Sequence, residues 1–219
     1  MVKFESFPML TAFTAGLTLI TISELGDKTF FIAMILATRH SKRWVFLGSW
    51  AALMVMTVLS VAVGKVFQLL PREFTVSATI LLFTFFGLKM LIQGWRMGNS
   101  PCEDECEAAV ETVEKAEANL SRWGSNPAWA AFVEAFSLTL MAEWGDRTQI
   151  ATITLAAASQ AFGVALGAIA GHGICTAIAV LGGGLLAGRI SERTLTLGGG
   201  ALFLIFAIVT ALQGTPKLS

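Results

Sequence analysis

The chain has 219 residues, 55% hydrophobic and only 14% charged, with 15 Lys plus Arg against 15 Asp plus Glu. Soluble domains run at about 45–50% apolar and about 25% charged, so this composition excludes an ordinary soluble domain and points to a membrane protein. There is no basic excess to suggest a nucleic-acid partner, and Cys102, Cys106 and Cys175 make neither a disulfide framework nor a common metal spacing.

The opening "MVKFESFPML" lacks the short apolar core and small-residue cleavage site of a signal peptide, so the first span is expected to be retained. A spanning helix needs about 20 mainly apolar residues. Six stretches qualify, at 9–38, 44–69, 74–96, 128–158, 162–187 and 195–213. The first and fourth are long enough that they must tilt, kink or project. The breakers "RHSKR", "PRE", "GSNP" and "GRISER" separate spans, and Pro8 and Pro127 fall where a first helical turn starts. Residues 98–126 are polar and acidic, and their Ala, Glu and Val content predicts a short solvated helix. These acids lack the spacing of an EF-hand loop.

That acidic linker divides the chain into 1–97 and 127–219, and the halves repeat. "ELGDKT" at 24–29 returns as "EWGDRT" at 143–148, an offset at which Phe13 also matches Phe132, Leu19 matches Leu138, Gly48 matches Gly167 and Gly64 matches Gly183. With one more residue inserted, Phe83 and Phe86 match Phe203 and Phe206. Three spans per half is an odd number, so the second half is expected to enter the membrane inverted, an architecture of transporters with their site near the midplane. The fold expected is therefore an all-α membrane protein of six transmembrane helices, built as two inverted three-helix repeats. Arg39, Lys42, Arg43, Arg96, Lys115, Arg122, Arg189 and Arg193 outnumber Lys3, Lys65, Arg72 and Lys217 on the other side. The positive-inside rule then puts the central loop in the cytoplasm and both termini opposite.

The two motifs carry the chemistry. An Asp, Lys or Arg at a span centre costs about 2.5–3.5 kcal/mol, so Glu24, Asp27 and Lys28 together cost the first span roughly 8–10 kcal/mol. Its large apolar residues return only about 4–7 kcal/mol. The motif must face protein, water or an ion, and the same holds for Glu143, Asp146 and Arg147. In a continuous helix Glu24 and Asp27 share one face, as do Glu143 and Asp146. Gly26 and Gly145 between them would let the two motif helices pack closely. Four carboxylates meeting in low dielectric need protons or a cation, and subtracting Lys28 and Arg147 leaves about two negative charges. That remainder suits one divalent cation or two protons, which would make the site an exchanger. The candidate ligands are all oxygens: Glu24, Asp27, Glu143 and Asp146, with hydroxyls of Ser23, Thr29, Ser137 and Thr148. Such a set suits hard cations such as Ca²⁺, Mn²⁺ and Mg²⁺. Local pairs Glu24–Lys28 and Glu143–Arg147, both i, i+4, are the structural alternative. His172 could relay protons or be a hydrogen-bonded interior histidine. Gln93 and Gln213 could line a vestibule or cap span ends.

"SELGDKTFF" and "AEWGDRTQI" resemble the paired E-x-G-D-(K/R)-(S/T) signatures of the Gdt family of membrane cation/proton exchangers, over essentially the whole chain. The resemblance implies export of Mn²⁺ or Ca²⁺ from the cytoplasm against protons. No permanent cofactor is expected. It further implies a multi-pass protein of a bacterial-type inner membrane, or of a thylakoid membrane in a photosynthetic source. Two other classes compete: a membrane-embedded metalloenzyme, which should show a nucleophile or a His-bearing metal motif at depth, and a scaffold whose motifs are structural salt bridges. Oligomeric state is not legible.

Overall fold

Both motif-bearing stretches are broken at the motif. A computed structural model describes residues 9–97, 104–120, 127–186 and 192–214. Within them every regular element is an α-helix: α1 (Met9–Glu24), α2 (Lys28–Arg39), α3 (Lys42–Phe67), α4 (Arg72–Arg96), α5 (Asp104–Leu120), α6 (Pro127–Ala142), α7 (Arg147–Ala158), α8 (Ala161–Leu186) and α9 (Glu192–Gly214). Four of them, α3, α4, α8 and α9, are long and apolar enough to cross a membrane. The expected continuous spans 9–38 and 128–158 are each two half-helices, α1 with α2 and α6 with α7. The cause is local. Gly26 and Gly145 sit at φ +77° and +82°, a left-handed conformation that ends a right-handed helix. Asp27 and Asp146 then lie in extended backbone and start the next helix as N-cap residues. Glu24 and Asp27 therefore do not share a face of one helix, as the sequence spacing suggested. The expectations on Pro8, Cys102, Arg122, Arg189 and Lys217 fall outside the described residues.

In lipid, apolar burial does not drive helices together, and small residues that admit close backbone approach do. Here α1 packs on α8 and α3 on α6. A Cβ on Gly167 of α8 would strike the Phe13 carbonyl of α1, and one on Gly48 of α3 would strike the Phe132 carbonyl of α6. Phe13 and Phe132, and Gly48 and Gly167, are the same positions of the repeat, so one contact is made twice. Matched residues also meet each other. Phe83 of α4 and Phe203 of α9 sit edge to face at 5.6 Å, both fully buried. Such a ring pair adds about 0.5–1.5 kcal/mol to the packing. The Trp50 indole N–H donates to the carbonyl of Ile169, its own counterpart 119 residues on. Outward faces carry Leu81, Phe85, Leu181 and Ile208, all exposed, as a lipid-facing surface requires.

One packing is not repeated. Helix α7 packs on α4, but among the described residues α2 makes no comparable packing on α9. Helix α5 covers α2 instead. Its Ala109 and Val113 are fully buried in a cluster with Phe30, Phe31, Met34 and Ala37 of α2. The expected solvated helix is thus solvated on one face only, where Glu107, Glu111, Glu114 and Lys115 are exposed.

Candidate functional site

The two breaks lie together. One carboxylate oxygen from each of Glu24, Asp27 and Glu143 lies within 4.8 Å of the others, which joins acids of both halves. Glu24 ends α1, while Asp27 stands at the N-terminus of α2, where the positive end of the helix dipole favours negative charge. The turns are held alike: the Asp27 N–H donates to the Glu24 carbonyl and the Asp146 N–H to the Glu143 carbonyl, both at 3.2 Å.

The hydroxyls repeat this symmetry. Thr29 donates to Glu24 Oε2 at 3.4 Å, and Thr148 donates to Glu143 Oε2 at 3.3 Å. Glu24 and Glu143 are almost fully buried, and in each the other oxygen, Oε1, has no hydrogen-bond partner. Buried carboxylate oxygens without partners are costly. Two of them in a cluster of three acids are positions a cation or protons would satisfy. Ser23 adds a buried hydroxyl that likewise lacks a partner.

The charged partners do not repeat. The Arg147 guanidinium reaches across the halves to Asp27 Oδ1 at 2.5 Å, with both side chains largely buried. The local pairs Glu24–Lys28 and Glu143–Arg147 do not form; each glutamate takes the threonine hydroxyl five residues on. Lys28 is half-buried at the start of α2, and its charge reaches Glu111 of α5. Asp146 is outside the group of three. Its carboxylate caps α7, accepting from the Thr148 N–H at 3.2 Å and the Thr148 hydroxyl at 3.1 Å. Asp27 makes no such cap on α2.

Gly26 and Gly145 turn the chain rather than bring two motif helices into contact, because both occupy the left-handed conformation. Ser137 is exposed on α6, away from the acids. His172 is buried and its Nδ1 has no hydrogen-bond partner. Gln93, in the last turn of α4, lines a small cavity with Ser23, Gly26 and Arg147. Sequence reasoning missed Ser49, Thr139 and Thr176, which line a second small cavity against Glu24. Their one signal is a hydroxyl in an otherwise apolar span.

The family model described as the divalent cation/proton antiporter GDT1 matches residues 12–98 and again residues 131–217. The chain belongs to the GDT1 family. That is a family of transporters and not of enzymes, which removes the metalloenzyme reading. The chain is 53% identical over 202 residues to "GDT1-like protein sll0615" of Synechocystis sp., covering 92% of this chain and 97% of that protein. It is 43% identical to "GDT1-like protein 2, chloroplastic" of Oryza sativa and 44% identical to "Protein PAM71-homolog, chloroplastic" of Arabidopsis thaliana, covering 91% of this chain in each case. The chain spans 60% and 59% of the length of those two plant GDT1 relatives. No solved structure matches it. The two segments matched to the GDT1 model begin 119 residues apart, at 12 and 131, the same spacing that separates Trp50 from Ile169. Membership makes the chain an integral membrane cation transporter.

Proposed function

We propose that the chain exports a divalent cation, Mn²⁺ or Ca²⁺, from the cytoplasm in exchange for protons. The carrying observation is the cross-half cluster of Glu24, Asp27 and Glu143, with its two partnerless buried oxygens. Three carboxylates less the Arg147 charge leave two negative charges, enough for one divalent cation or two protons. The donors are oxygens throughout, which favours hard cations. Cation and protons then compete for the same atoms, and competition for one site is what couples their fluxes.

Each broken pair acts as one membrane span, giving six spans in two inverted repeats. A residue touches its own repeat mate only near a two-fold axis, and both Trp50–Ile169 and Phe83–Phe203 support that relation. Half-helix termini meeting at the midplane are the usual ion sites of such transporters. The end carrying Arg39, Lys42 and Arg43 faces the cytoplasm, and a thylakoid or bacterial inner membrane suits the relatives. Inverted repeats exchange roles between inward- and outward-open states. The Arg147–Asp27 pair then gives way to its repeat equivalent, Lys28–Asp146, as access alternates. Asp146 joins the ion in that second state.

The test is purified protein in liposomes with an imposed pH gradient and an internal metal dye, run with Mn²⁺, Ca²⁺ and Mg²⁺ for the wild type and Asp27→Asn. Metal uptake that follows the gradient and is lost in Asp27→Asn is the expected result. Uptake indifferent to the gradient overturns the exchange.

A further inference from the structure

A cavity of about 530 Å³ lies where α3 passes to α4 and α7 passes to α8. Among the described residues lining it, the charged ones are Lys65 and Arg72, both cationic and both exposed. Lys65 stands in the last turn of α3 and Arg72 opens α4. Both helices are membrane spans, so their shared end lies at headgroup depth, where Lys and Arg place their charges.

The cavity continues inward. Arg72, Val76, Ala158 and Ser159 also line a second, narrower cavity of about 80 Å³. Its wall beyond the mouth is mostly apolar, formed by Ala12 and Ala15 of α1, Leu155 of α7, and Phe206 and Val209 of α9, with Thr11 and Thr210 beside them. A cationic mouth at the interface thus opens into an apolar slot directed into the bilayer. A small inorganic anion would use the mouth and leave the slot empty, and a zwitterionic lipid would gain little from two cations in a lining whose described residues include no acid, exposed Glu73 lying next to Arg72 but outside that lining. A single molecule with a negative head and a hydrocarbon tail matches both parts. The N-terminus of α4 opens at the same mouth and adds its dipole to the attraction.

We propose that this is a binding site for an anionic membrane lipid, its acidic headgroup between Lys65 and Arg72 and one acyl chain in the slot beside Val76. The occupant comes from the leaflet at this end of the molecule. It is separate from the carboxylate cluster and shares no lining residue with the cavities around Glu24 and Arg147.

The experiment is native mass spectrometry of the full chain released from nanodiscs of mixed phosphatidylglycerol and phosphatidylcholine. Each cation near a membrane surface strengthens anionic lipid binding by about fivefold, so the pair should favour phosphatidylglycerol by roughly 25-fold. Lys65→Gln/Arg72→Gln should abolish that preference, and Lys89→Gln/Arg96→Gln, the same charge change at exposed positions elsewhere on α4, should keep it. Val76→Trp, which fills the slot, should lower retention of phosphatidylglycerol while helix content stays at the wild-type level. Should that variant misfold, the two charge variants decide alone. Equal retention of both lipids, an equal loss in both charge variants, or displacement of phosphatidylglycerol by inorganic phosphate would overturn the proposal.

Discussion

Replacing Gly26 and Gly145 by alanine separates two effects that the repeat otherwise makes identical. Both glycines have left-handed φ, +77° and +82°, so an alanine at either costs about 1–2 kcal/mol in backbone strain. At Gly145 a Cβ would meet nothing within 4 Å, so strain is the whole cost. At Gly26 the Cβ would come within 2.6 Å of Leu195 Cδ1. That atom is the far end of a flexible side chain and can move, at about 1 kcal/mol more for an off-rotamer leucine. Gly145→Ala should therefore cost about 1–2 kcal/mol and Gly26→Ala about 2–3 kcal/mol in denaturant unfolding of the detergent-solubilised protein. In a double-mutant cycle Leu195→Ala should recover about 1 kcal/mol of the Gly26→Ala loss and none of the Gly145→Ala loss. Asparagine, the side chain best tolerated at positive φ, should be milder than alanine at position 145. A neutral Gly145→Ala, or one more damaging than Gly26→Ala, would refute the reasoning, because it would mean that the left-handed turn is not what these glycines provide.

The aspartates should also part company. Asp27→Asn removes a member of the carboxylate group and should weaken metal binding at least about tenfold by isothermal titration. Asp146→Ala should mainly remove the cap on α7, at about 1 kcal/mol of stability, with a smaller change in affinity. Because metal must displace protons from the carboxylates, affinity should fall as pH falls, by about tenfold per unit for each proton released. Titrations in buffers of different ionisation enthalpy will count those protons, and a pH-independent affinity would contradict the shared site. On α5, the hydrogen bond and charge of Lys115, 2.5 Å away, hold the Glu111 carboxyl below its usual range. A depressed carboxyl stabilises the fold above its ordinary titration range, and that contribution disappears as pH drops through the lowered value. Lys115→Met should return Glu111 upward in an NMR titration, and an unchanged midpoint would show that the pair does not form in solution.

The repeat, the acid motifs and the apolar stretches were readable because each is a pattern in one dimension: a fixed offset, a six-residue block, a run of some twenty greasy residues. The helix breaks were written there too, in a signal read differently. Gly26 followed by Asp27 is a left-handed stop beside an N-cap start, yet within an apolar run the glycine reads as a packing residue. The pairing of Arg147 with Asp27 was hidden by a plausible local partner, Glu143, four residues back. Docking of α5 had a trace in Cys106, Ala109 and Val113, spaced along one face, but the acids between them dominate the composition. The hydroxyls of Ser49, Thr139 and Thr176 around Glu24 carry no periodicity, and only the tertiary arrangement gathers them.

The cover that α5 gives α2 has no equivalent on α7 among the described residues, so it distinguishes the first half from the second. Two copies of α1 to α4 would lack the Ala109 and Val113 side chains that share a cluster with Phe30, Phe31 and Met34. The linker supplies one helix, acidic on its solvated face and apolar on the other, that roofs α2, whereas α7, the counterpart of α2 in the repeat, packs on α4. An attempt to split the chain into separately expressed halves should succeed only when α5 travels with the first.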